Sequence, residues 1–130
     1  VQNPMNSTRL SKQLVLAAVL VFFSTDLVAN DLSETKWSGT WKDERWGNGK
    51  ASLIITEDLG DAWEALWRDG SGIRYRSKFK VTKNRGSVTI EGTAKGRLRT
   101  IQLKGKLTGN RIVCSYTGRD CVGTVTVTKQ

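Results

Sequence analysis

The chain has 130 residues, with 21 Lys and Arg against 12 Asp and Glu, no histidine, one proline, two cysteines and five tryptophans. That length allows a single domain. A formal charge of +9 without histidine excludes His-based triads, His-ligated metal or haem sites and imidazole acid-base catalysis. At 38% hydrophobic and 25% charged, the chain has the composition of a folded domain, neither disordered nor membrane-embedded throughout.

Residues 1–29 read as a secretory signal peptide. Arg9 and Lys12 precede an apolar run from Leu14 to Phe23, and the small residue Ala29 marks the cut. The run is short for a bilayer span; the competing reading is a retained N-terminal anchor, since Leu27 is bulky for its place before the cut. Residues 1–4, upstream of Met5, read as an extension of the natural start. Removing the leader takes away Arg9, Lys12 and Asp26 and leaves +8 on the remainder, so the charge belongs to the folded domain. The expected location is secreted or periplasmic, with no transmembrane span in the mature protein.

Residues 30–130 read as one all-β domain. Period-2 segments recur in chain order over residues 37–41, 51–56, 63–68, 73–82, 87–94, 100–107, 111–117 and 121–128, separated by Gly- and Asn-bearing turns. The first turn is placed on Gly47-Asn48-Gly49, and others on Lys83-Asn84-Arg85-Gly86 and Gly118-Arg119-Asp120. About eight short strands joined by short connections predict a single up-and-down antiparallel β-barrel, which removes its own edges by closing. Parity turns Trp37, Gly39 and Trp41 to one side, with Trp63 and Trp67 on a neighbouring inward face. The cleanest alternation sets Ile73, Tyr75, Ser77, Phe79 and Val81 against Arg74, Arg76, Lys78 and Lys80.

Two short motifs carry resemblances. Gly39-Thr40-Trp41 is a G-x-W signature at the head of the first strand, and with the meander it resembles the calycin group of lipocalin-like and avidin-like barrels. That resemblance implies the fold and no particular ligand; the arginine that packs on the motif tryptophan in lipocalins has no counterpart here, Lys129 being the nearest cation. Ser71-Gly72-Ile73-Arg74-Tyr75 is similar to the S-G-x-R-Y stretch of periplasmic C-type lysozyme inhibitors. It implies a lysozyme-like enzyme as partner, with Ser71 and Tyr75 presented to its cleft; the plainer alternative is a hairpin turn running into a strand.

Between Arg74 and Lys106 lie eleven cations against one acid, Glu91. Arg74, Arg76, Lys78, Lys80, Lys104 and Lys106 on one outer face form a candidate anion-binding site for a glycan, lipopolysaccharide or another cell-envelope polymer. If the turn at residues 83–86 sets the register, Lys78 faces Glu91. The alternative is a solvated face that protects a sheet edge. Nucleic acid is not favoured, because no aromatic platform accompanies the stripe. Trp37, Trp41, Trp63, Trp67 and Tyr75 either pack as core or line a mouth for a small ligand, and Trp46 is expected to be exposed. Cys114 and Cys121 flank a hairpin and are expected to form one disulfide in an oxidising compartment; a redox or metal pair lacks C-x-x-C spacing and further ligands. No catalytic residues, metal ligands or cofactors are expected: the carboxylates at Asp43-Glu44 and at Glu57, Asp58 and Asp61 lack glycosidase or calcium-site geometry.

Overall fold

The computed structural model describes residues 31–130; the signal peptide read over residues 1–29 lies outside the described residues. Eight strands follow one another: β1 (Thr35–Asp43), β2 (Gly47–Asp58), β3 (Ala62–Asp69), β4 (Arg74–Asn84), β5 (Ser87–Gly96), β6 (Thr100–Thr108), β7 (Arg111–Gly118) and β8 (Val122–Lys129). Each pairs antiparallel with its neighbour in sequence, and β1 pairs with β8, so the sheet closes into an up-and-down barrel. The expected fold class is the observed one. No helix among the described residues is long and apolar enough to cross a membrane.

The Gly39 of the G-x-W motif has a steric reason at the seam. It sits opposite Val127, and a Cβ there would strike the carbonyl of Thr126 and the backbone of Val127. A side chain at position 39 would therefore push β1 away from β8 and open the barrel.

The two ends of the interior differ. At one end Trp37, Trp63, Phe79, Ile112 and Val127 are fully buried, and Leu32 packs against the core. The lead into β1 is strapped to the end of β2: Leu32 N–H donates to Asp58 Oδ2 at 2.9 Å, Asp58 N–H to Ser33 Oγ at 2.9 Å, and Glu34 N–H to the Ile55 carbonyl at 2.7 Å. The other end is ringed by the β1–β2, β3–β4, β5–β6 and β7–β8 connections and encloses a cavity. The barrel is thus packed below and hollow above.

Three expectations are corrected, each through a turn. Gly47 to Gly49 belong to β2, and the chain reverses instead at Glu44 to Trp46. The β4–β5 loop is Arg85-Gly86, with Asn84 opposite Ser87. Glu91 therefore faces Lys80, while Lys78 faces Thr93. The β7–β8 loop is Arg119-Asp120, closed by Gly118 N–H donating to the Cys121 carbonyl at 2.8 Å. Cys114 is consequently opposite Val125, not Cys121. Four residues of strand, about 13 Å, separate the two backbone positions along the ladder, beyond the Cα spacing a disulfide spans, and both cysteines are free and buried.

Candidate functional site

Parity along β1 carries Trp37, Gly39 and Trp41 inward and so also turns Asp43 inward at the hollow end. There the carboxylate is only 7% exposed. Its Oδ1 accepts from the N–H groups of Arg45 at 2.8 Å and Trp46 at 3.0 Å, fixing the tight β1–β2 turn. Its Oδ2 accepts from the Tyr116 hydroxyl at 2.7 Å. Burial by itself raises the Asp43 pKa, but the Tyr116 hydroxyl and the surrounding backbone N–H groups bring it below the ordinary carboxylate value. Tyr116 is shifted upward, by burial first and then by Asp43.

The bond between Asp43 and Tyr116 reaches across an intervening strand. Gly123 of β8 faces Asp43 on one side and Tyr116 on the other. A Cβ at Gly123 would strike the Lys42 carbonyl and come within 2.7 Å of the Tyr116 oxygen. Glycine is what lets the hydroxyl pass over β8.

Held by Asp43, the turn carries Trp46 over the mouth. The ring is 53% exposed, as expected, yet it is anchored: its Nε1–H donates to the Asp120 carbonyl at 3.1 Å. The Arg45 and Arg99 guanidinium carbons lie 5.3 and 5.8 Å from the ring centroid, within cation–π range. Arg99 also approaches Asp120 at 3.6 Å. Three loops are thereby tied together at one rim.

Below Trp46 lies a cavity of about 110 Å³, walled by Trp41, Trp67, Tyr75 and Tyr116, with Arg68 and Arg99 at its edge. A cavity of roughly 150 Å³ accommodates benzene, so this one is no larger than a single ring. The Nε1–H groups of Trp41 and Trp67 are buried without a hydrogen-bond acceptor. Cys121 also lines the cavity, but burial raises its pKa, with Arg99 opposing; a thiol so disposed is a poor nucleophile. Of the aromatic set read as core or mouth, Trp37 and Trp63 are core at the packed end, whereas Trp41, Trp67 and Tyr75 line the cavity.

The outer face follows the corrected register. Arg74, Arg76, Lys78 and Lys80 point outward from β4, and Lys104 and Lys106 from β6, with β5 between them. Glu91 lies between Lys80 and Lys104, and Lys78 has Glu64 on its other side. Toward the hollow end no acid intervenes: Arg68 is opposite Arg74, and Arg76 is opposite Lys95. The surplus charge therefore gathers at Arg68, Arg74, Arg76 and Lys95, beside the mouth, while Lys106 is flanked by Thr89 and Val113. The outward position of Arg68 was legible from its alternation with Trp63, Ala65 and Trp67; its partner was not.

Within Ser71–Tyr75, the Tyr75 ring faces the interior at 7% exposure. Asp69 Oδ1 accepts from Ser71 N–H, Ser71 Oγ–H and Ile73 N–H, shaping this loop from within. The segment offers Ser71, Gly72 and Arg74 to an outside partner, not the tyrosine. Among the described residues, no group of three or more His, Cys, Asp or Glu side chains could hold a metal. Comparison of the chain with protein-family models, curated proteins and solved structures found no match.

Proposed function

We propose that this is a secreted or periplasmic, non-catalytic binding barrel that holds an anionic polymer of the cell envelope, such as a phosphorylated or carboxylated glycan, on its β3–β5 face. The observation that carries this reading is the pair of like-charge oppositions, Arg68 with Arg74 and Arg76 with Lys95. Directly opposed like charges destabilise a sheet, and an anion bridging them turns repulsion into attraction. Same-face residues on β4 recur about every 7 Å, which suits a partner with negative charges at regular intervals. Catalysis has little support, because the buried carboxylate at the mouth is committed to Tyr116 and to backbone donors.

Heparin, a sulfated glycan, serves as the test polyanion, with neutral dextran as control. If four cations engage it, affinity should fall by about two orders of magnitude between roughly 50 and 200 mM salt, on a counterion-release slope of about −0.9 per charge. The double variant Arg76→Ala with Lys95→Ala should weaken binding more than Lys78→Ala with Lys80→Ala, because the latter lysines already face Glu64 and Glu91. It should also melt higher than the wild type at low salt. Salt-independent binding, unchanged in the Arg76/Lys95 variant, would remove the basis for this reading.

A further inference from the structure

The mouth cavity lies inside the barrel and shares only Arg68 with the basic outer face, and its lining points to a ligand chemistry. Its walls are aromatic, from Trp41, Trp67, Tyr75 and Tyr116, and its volume of about 110 Å³, below the roughly 150 Å³ of a cavity that holds benzene, leaves space for no more than one ring, with any substituent at the open rim. Two of its lining residues carry buried donors that are unused. The indole N–H groups of Trp41 and Trp67 are buried and have no acceptor, and an indole nitrogen cannot accept. Trp67 is 94% buried, being 6% exposed, so its N–H is withdrawn from bulk water as well as unpaired; leaving a buried donor unmatched is costly. Trp63 carries the same unpaired donor at the packed end, away from the cavity, and contributes nothing to this argument.

Most carboxylate oxygens at the mouth are already engaged. Asp43 takes three donors, from Arg45, Trp46 and Tyr116. Asp69 Oδ1 takes those of Ser71 and Ile73, and Asp120 faces Arg99. Arg68, also on the cavity edge, has no carboxylate within ion-pair distance among the described residues. The lining therefore offers the faces of two tryptophans, two unmatched indole donors and one cation without an ion-pair partner. A planar ring bearing acceptor oxygens and a negative charge matches it, stacking on the tryptophans, receiving the indole N–H groups and facing Arg68.

We propose that the hollow end of the barrel binds a small monocyclic aromatic acid, with its ring between Trp41 and Trp67 and its carboxylate toward Arg68. Trp46, tethered across the rim by the Asp120 carbonyl, covers the occupied site.

Benzoate is the probe and benzyl alcohol its uncharged counterpart, titrated against the intact protein by calorimetry and by the indole N–H resonances in NMR. Benzoate should bind saturably with a dissociation constant on the order of 10 mM or tighter, and should move the Trp41 and Trp67 N–H signals. Trp41→Phe keeps a ring and removes the donor, and should weaken benzoate about tenfold; Trp41 is only half-buried, so this variant keeps the test available even if Trp67→Phe fails to fold. Arg68→Gln should weaken benzoate and leave benzyl alcohol unchanged. Arg76→Ala with Lys95→Ala should leave benzoate binding intact, so that loss of the outer-face site and loss of this one are told apart. No saturable benzoate binding, benzyl alcohol held as tightly as benzoate, or binding that leaves both indole signals in place overturns the proposal.

Discussion

Replacing Tyr116 by phenylalanine isolates the interior bond to Asp43. The ring and its buried surface remain, and only the hydroxyl 2.7 Å from Oδ2 is lost. Oδ1 keeps its donors from Arg45 and Trp46, while Oδ2 loses the tyrosine donor at a position where Asp43 is 7% exposed. A hydrogen bond to a charged group contributes about 1.5–3 kcal/mol; burial places this one in the upper half, about 2–3 kcal/mol at neutral pH. For a domain of roughly 100 residues, each kcal/mol moves Tm by about 4–8 °C, so Tyr116→Phe should melt roughly 10–20 °C lower. The pH dependence has a definite sign. Asp43 titrates below its ordinary value in the folded state, so its stabilisation is present above the unfolded pKa, near 4, and is lost as pH falls through the lower folded value. Without the hydroxyl the folded pKa rises toward the unfolded one, and the Tm gap between wild type and variant should narrow as pH falls from about 6 to below about 4. Thermal melts followed by far-UV circular dichroism across that range measure both effects. A Tm loss under about 3 °C at pH 7, or a gap that stays constant in acid, would refute the account of Asp43 as a carboxylate held charged by Tyr116.

Gly123→Ala should cost at least as much as Tyr116→Phe, because the added methyl strikes the Lys42 carbonyl at the seam as well as the Tyr116 hydroxyl. Chemical denaturation checks this, and a loss below about 1 kcal/mol would mean that the strands shift more freely than close packing allows. The two thiols should both titrate with a thiol reagent after unfolding and react slowly in the native protein, since each is buried and burial pushes the Cys114 thiol up to about 12. A reductant should accordingly leave Tm unchanged; a drop on reduction would show that a disulfide had formed.

The barrel was legible because its signal is local. Alternation from Ile73 to Val81 against Arg74 to Lys80 needs no knowledge of neighbours, and Gly-bearing turns bracket it. Register was less legible, because moving a hairpin loop along the chain changes every cross-strand partner while the alternation stays intact. A loop shifted by one or two residues brings the cysteines together and sets Glu91 against Lys78 instead of Lys80. The site at the mouth depended on such partners. Asp43 alternates with Trp41 and could have been placed inside by parity, but the donor that makes its burial tolerable, Tyr116, lies two strands away around the barrel. Arg68 showed its outward face in the sequence, and only the β3–β4 pairing revealed that it meets Arg74.

The seam between β1 and β8 joins the first described strand to the last, and that has a kinetic consequence. Every other pairing is a hairpin between consecutive strands and can form from nearby chain, whereas this one must wait for Val122 to Lys129 to be made and brought around. A closure with such large sequence separation slows folding. Until it happens, the outer margins of β1 and β8 are unpaired strand edges able to recruit other chains. The dense positive charge on the β3–β5 face, which keeps like molecules apart, is already in place during that interval.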